Sequence, residues 1–352
     1  MVSAEPKITF RTIILPVIGL IAFFVYIYVF QVDILEIIST AQRMDPAIYF
    51  LAAIFNIVEV FFFALSWRML LNFLAVKVSI TRSYLYVWYG IFMDIIIPAE
   101  SISGEISRVY LITREQSGTS GKVLASLVAH RLMGMGLNVA TLTLGIGMLL
   151  MEREVSGLVL NLALLCAIAI ALSQLLLILL CSKEKLIQKM VDGLVKLVEF
   201  LSRGRWKLTK VREYASKTAI TFHGSMKEFK HAPKTLFTSL FLLAVTWIFN
   251  LSIAYLVFLA LRFPVQWSTI LITSSIVLAV KSVPMGIPFE VGLPEITMTT
   301  LYALLGVPVG ISATVTILNR IITLWFRFFI GFVTQQWLEI KRITASANAK
   351  GT

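Results

Sequence analysis

Charge is what this chain of 352 residues has least of. Asp, Glu, Lys and Arg make up 14% of it, against about 25% in an ordinary soluble domain, while 58% is hydrophobic. That balance excludes a soluble catalytic domain and predicts an all-α polytopic membrane protein. Histidine is scarce too: there are three, and of these only His130 lies in an apolar run. HExxH does not occur, so an intramembrane zinc hydrolase lacks its ligands, and no metal is expected. There is no Walker loop or glycine-rich nucleotide fingerprint, and SISGE at 101–105 is not the GxSxG of a serine hydrolase. The reading is therefore a protein without cofactor that is not an enzyme. Cys166 and Cys181, the two cysteines, belong to a single apolar run and offer neither a disulfide framework nor a CxxC site.

Long apolar runs are what the chain does have. Six reach the roughly 20 residues needed to span a bilayer: about 12–30, 47–66, 122–150, 157–181, 235–261 and 310–338. The first is too long for a signal-peptide core and has no small-residue cleavage site. Two more segments are apolar but interrupted, 84–111 at DIIIPAESISGE and 267–305 at PMGIPFEVGLPE. Their breakers are Pro98 and Gly104 in the first, and Pro284, Gly286, Pro288, Gly292 and Pro294 in the second.

If each broken segment is a hairpin that enters and leaves on one side, the basic loops gather on one face. Lys7, Arg11, Arg68, Lys77, Arg82, Arg114, Lys122, Lys341 and Arg342 all fall there, which places both termini in the cytoplasm of a cell-membrane protein. The net charge of +12 points the same way, because +8 of it lies in the insert 182–234, with thirteen basic residues and five acids. Such a concentration suits a cytoplasmic loop on a membrane surface, not nucleic acid. Leu186, Met190, Leu194, Leu197 and Leu201 recur there at helical spacing between lysines, so the insert is expected to lie along the membrane.

The two broken segments resemble each other. IIIPAESISGEISRVYLI at 95–112 and IPFEVGLPEITMTTLYAL at 287–304 share a proline, a carboxylate, and then a glutamate that opens a helix. Glu105 and Glu295 are 190 residues apart, and Arg131 and Arg320 are 189 apart. This spacing predicts a duplication into repeats 1–156 and 157–340. Three crossings per half would invert the copies, so the fold expected is six full spans plus two re-entrant broken-helix hairpins in an inverted repeat.

Arg108, Arg131, Lys281, Arg320 and Arg327 lie in or beside apolar runs, as do Glu59, Asp94, Glu105, Glu290 and Glu295 and the asparagines at 56, 138, 250 and 319. A charge at the bilayer centre costs at least ~2.5 kcal/mol, so these residues should face inward and pair. Glu105 and Arg108 share a helix face at i,i+3, and Arg320 and Arg327 are expected to share one at i,i+7. Two roles fit. Glu105 with Arg131, and Glu295 with Arg320, would lock each hairpin to its following span. The five cations together would instead bind an anionic head group in a midplane cavity. Glu295 also suits a helix N-cap, and Arg327 suits snorkelling to the interface.

Taken together, the stretches SWRMLLNFLAVKVSITRSYLYVWYG, IIPAESISGEISRVYLITREQSGTSGKVLASLVAHRL and PFEVGLPEITMTTLYALLGVPVGISATVTILNRIITLWFRFFIG resemble the transmembrane flippase-like domain of lysylphosphatidylglycerol synthases of the MprF type. They are most similar to its stand-alone members. Phe289 and Glu290 depart from that pattern, standing where the family more usually has a glycine. In those synthases the resemblance implies that such a domain moves an aminoacylated phospholipid between leaflets while a separate soluble domain makes it. The sequence holds no segment resembling that soluble domain, so lipid translocation is expected and lipid synthesis is not. The first functional reading is thus a translocase for a phospholipid or polyprenyl phosphate, whose partner is a membrane lipid with an anionic head group. The second is an accessory subunit that presents such a lipid to a separate membrane-bound glycosyl- or aminoacyl-transferase.

Overall fold

The computed structural model describes residues 34–97, 102–152, 157–201, 209–281 and 292–348. Within them every regular element is a helix. The predicted span at 12–30 and the positions Pro98, Pro284, Gly286, Pro288 and Glu290 lie outside the described residues. After a short helix, α1 (Ile34–Gln42), come α2 (Pro46–Phe73), α3 (Ile80–Ile96), α4 (Ile102–Glu115), α5 (Ser120–Glu152) and α6 (Gly157–Ser182). The insert forms α7 (Glu184–Leu201) and α8 (Thr209–Phe229). Then follow α9 (Pro233–Ala260), α10 (Trp267–Lys281), α11 (Leu293–Leu304), α12 (Val309–Arg320), a π-helical segment (Ile321–Phe326) and α13 (Arg327–Asn348). Five continuous helices among the described residues are long and apolar enough to cross a membrane: Pro46–Phe73, Ser120–Met151, Gly157–Ser182, Pro233–Ala260 and Val309–Lys341.

The helices α2 and α9 are built alike, each 28 residues long with proline at its start. The Asp45 carboxylate caps α2, accepting from the amides of Ala47 at 2.9 Å and Ile48 at 3.3 Å. Each helix ends on a non-glycine residue in the left-handed region, Ala75 (φ 59°) after α2 and Arg262 (φ 56°) after α9. The following amides close the turn, Val76 on the Leu71 carbonyl at 3.0 Å and Phe263 on that of Phe258 at 3.1 Å. Pro233 follows Pro46, and Arg262 follows Ala75, by the same 187 residues. The twins lie antiparallel. Asp45 N donates to Ala260 O at 2.8 Å, and Ser66 and Ser239 exchange hydroxyl-to-carbonyl bonds at 2.7 and 3.0 Å.

The helices α3 and α4, with 17 and 14 residues, form a hairpin, each about 20–25 Å long against a hydrocarbon core of about 30 Å. Glu115 ties its open end, pairing with Arg82 at 2.8 Å and accepting from the Tyr86 hydroxyl at 2.6 Å. Asp94 ties its tip, accepting from the Gly104 amide at 2.6 Å and from Ser103 Oγ at 2.8 Å. Gly104 cannot be replaced there, because a Cβ would stand 2.2 Å from Asp94 Oδ2 and 2.5 Å from the Gly90 carbonyl.

Packing crosses between the two halves of the chain. The helix α5 lies on α10, where a Cβ at Gly145 would stand 3.0 Å from Leu271 and Ile272. In the same way α13 lies on α3, where a Cβ at Gly331 would stand 2.7 Å from Phe92 Cβ and 2.9 Å from the Trp88 carbonyl. The insert is docked, not loose. Its α8 meets α5 at Gly121, where a Cβ would come within 2.6 Å of the Thr218 carbonyl, and buried His223 bonds the Cys181 carbonyl through Nδ1 at 3.1 Å.

Candidate functional site

Three ion pairs join helices of the bundle, two between consecutive helices and one between helices distant in sequence. On α4, Glu105 faces Arg131 of α5 at 3.5 Å, with the arginine side chain 35% exposed and the glutamate 20%. Glu295 of α11 binds Arg320 of α12 at 2.5 Å, and both are nearly sealed, at 4% and 8%. The same Glu295 accepts from the Gly292 amide at 2.6 Å, so capping and pairing coexist in one side chain. Arg327 binds Glu59 of α2 and donates to Asn56 Oδ1 at 2.6 Å, while Asn250 of α9 donates to the other Glu59 oxygen at 3.4 Å. Lys281 ends α10 within electrostatic range of Glu59.

The expectation that Arg320 and Arg327 share a face is overturned. All six residues between them are π-helical, with hydrogen bonds one residue longer than in an α-helix. That slower rotation swings the two guanidiniums apart, Arg320 to α11 and Arg327 to α2. Arg327 is thereby held inside by Glu59 and Asn56 instead of snorkelling outward.

Arg108 differs from the others. It is 7% exposed, and among the described residues no carboxylate stands within ion-pair distance of it. Its Nε donates to the Gly104 carbonyl at 3.3 Å, and the guanidinium lies over Trp67 at 5.3 Å and Phe63 at 5.9 Å. Glu105, one turn away, is engaged by Arg131 instead. Phe63 and Trp67 escape a reading of the sequence, because they sit in an aromatic-rich span where nothing marks two rings as a platform for a cation. The breakers Gly292 and Pro294 stand where α11 begins, and Gly104 lies in the first turn of α4.

Residues 13–331 match the family model described as the lysylphosphatidylglycerol synthase TM region. The chain belongs to this family. Among its relatives is a UPF0104 membrane protein of Pyrococcus horikoshii, 22% identical over 310 residues that cover 84% of this chain and 88% of the relative. A UPF0104 membrane protein of Methanocaldococcus jannaschii is 23% identical over 340 residues, 96% of each chain. Family membership and the apolar helices make this a multi-pass membrane protein.

Proposed function

We propose that this protein moves a lipid with an anionic head group across the membrane, through a polar interior lined by the paired charges. The observation that carries this reading is the burial of two arginine–glutamate pairs, Arg320 with Glu295 and Arg327 with Glu59, in an apolar bundle that also holds a third, partly exposed pair, Arg131 with Glu105. Each ion so buried carries a desolvation penalty that a well-packed apolar side chain would avoid, and intramembrane ionisable groups concentrate along substrate paths. Family membership supports the same reading through the lysylphosphatidylglycerol synthases that name the family.

The reading includes an inverted repeat with two re-entrant hairpins, one dipping from each face, and both termini in the cytoplasm. Its supports are the 187-residue offset between α2 and α9, their antiparallel pairing, and the reciprocal packing of α5 on α10 and of α13 on α3. Irregular backbone between hairpin arms is tolerated at membrane depth where it lines a wet cavity. The test is movement of fluorescent phosphatidylglycerol, phosphatidylcholine and a polyprenyl phosphate in liposomes holding only the purified chain. Faster exchange of an anionic lipid than in empty liposomes is expected. Exchange that appears only with an added transferase would replace this reading with that of a lipid-presenting subunit.

A further inference from the structure

Arg108 is the cation that the scaffold does not explain. The offset of 190 that relates Glu105 to Glu295 relates Arg108 to Met298, which is 6% exposed and uncharged. One half of the molecule thus builds this position with an apolar side chain, and the other buries a guanidinium there. Of the five N–H donors on that guanidinium, only Nε finds an acceptor among the described residues, the Gly104 carbonyl. His130 stands close by. Its ring meets Phe63 edge-on at 4.5 Å, the residue is 5% exposed, and its Nε2 has no hydrogen-bond partner among the described residues. A guanidinium with a single acceptor and an imidazole nitrogen with no partner among the described residues therefore flank one aromatic ring. Glu105 is engaged by Arg131, and Asp94, which acts on Arg108 from a distance, accepts from the amide and hydroxyl at the start of α4, so among the described residues no carboxylate contacts the guanidinium.

We propose that Arg108 and His130 form the seat for a phosphate group, an inference that rests on the reading of the interior as a lipid path. Trp67 and Phe63 fix the plane of the guanidinium, so its two terminal nitrogens present a fixed fork that matches two phosphate oxygens. His130, with its proton on Nε2, adds a third donor. The phosphate supplies the acceptor atoms that the terminal nitrogens lack among the described residues, and the matching position in the other half, Met298, needs none.

The experiment is a thermal-unfolding titration of the purified protein in neutral detergent, with short-chain phosphatidylglycerol in one series and inorganic phosphate in another. Wild type, Arg108→Met and His130→Phe are compared. Wild type is expected to melt higher as phosphatidylglycerol is added. Arg108→Met should melt at or above the wild-type temperature without ligand and bind at least about tenfold more weakly, with His130→Phe intermediate. A response to the lipid alone assigns the seat to a head group, and a response to both probes assigns it to phosphate from either source. The proposal is overturned if Arg108→Met keeps the wild-type affinity, if it melts well below wild type without ligand, or if wild type responds to neither probe. Intact binding without lipid movement in liposomes would overturn the translocation reading and leave this seat standing.

Discussion

Arg320 and Arg327 stand seven residues apart on one continuous helix, yet they hold carboxylates on different helices, Glu295 on α11 and Glu59 on α2. The π-helical segment between them makes this possible by adding backbone without adding a full α-turn. Glu59→Gln removes the carboxylate that Arg327 holds across this turn and leaves the guanidinium without its charge partner. An unpaired buried charge costs about 3–5 kcal/mol, so the substitution should lower the unfolding temperature in detergent sharply. An unchanged temperature would show that the Arg327 pair contributes nothing to the fold.

The two repeat-related pairs should differ in strength. Glu295→Gln removes the partner of a sealed arginine and should cost about 3–5 kcal/mol. Glu105→Gln acts on a pair that is longer and partly exposed, and should cost about 1 kcal/mol or less. Chemical denaturation of both variants in the same detergent measures the difference.

Three glycines give a graded steric test. Gly331→Ala drives a methyl into Phe92 and the Trp88 carbonyl and should cost about 1–3 kcal/mol. Gly145→Ala should cost less, since its nearest contacts are side-chain carbons at 3.0 Å. At Gly134 nothing lies within 4 Å, and alanine there should stabilise the helix by up to about 1 kcal/mol. Thermal unfolding of the three variants should follow that order.

Ala75 and Arg262 hold the left-handed C-terminal turns of α2 and α9 without glycine. That conformation costs an L-residue about 1–2 kcal/mol, partly offset in glycine by its greater freedom when unfolded. Ala75→Gly and Arg262→Gly should each raise the unfolding temperature, by the equivalent of about 0.5–1 kcal/mol. A fall would mean that the side chains make contacts worth more than the backbone relief.

Much of the fold was legible because lipid imposes a simple rule. Unbroken apolar runs of about 20 residues at 47–66, 122–150, 157–181, 235–261 and 310–338 each became a long helix. The matched spacing of Glu105 with Arg131, and of Glu295 with Arg320, pointed to residues that do stand together. The π-helical register was hidden, because IITLWF has the composition of any span residues and the extra backbone shows only in hydrogen bonding. Arg320 and Arg327 therefore hold carboxylates on different helices, against the shared face that their i,i+7 spacing predicts. The setting of Arg108 was hidden for another reason, since it depends on α2 bringing Phe63 and Trp67 against a helix some forty residues away.

The central claim is that the paired charges form the lipid path and do more than lock the bundle. The most direct measurement compares wild type with the double variant Glu105→Gln and Arg131→Gln, using the initial rate of fluorescent phosphatidylglycerol movement in liposomes holding only the purified chain. The double variant leaves no charge unpaired and should melt within a few degrees of wild type. Wild type is expected to move the lipid well above the rate of empty liposomes, and the equally stable double variant at least about tenfold more slowly than wild type. Movement by the double variant at the full wild-type rate would contradict the account and reduce that pair to a structural lock.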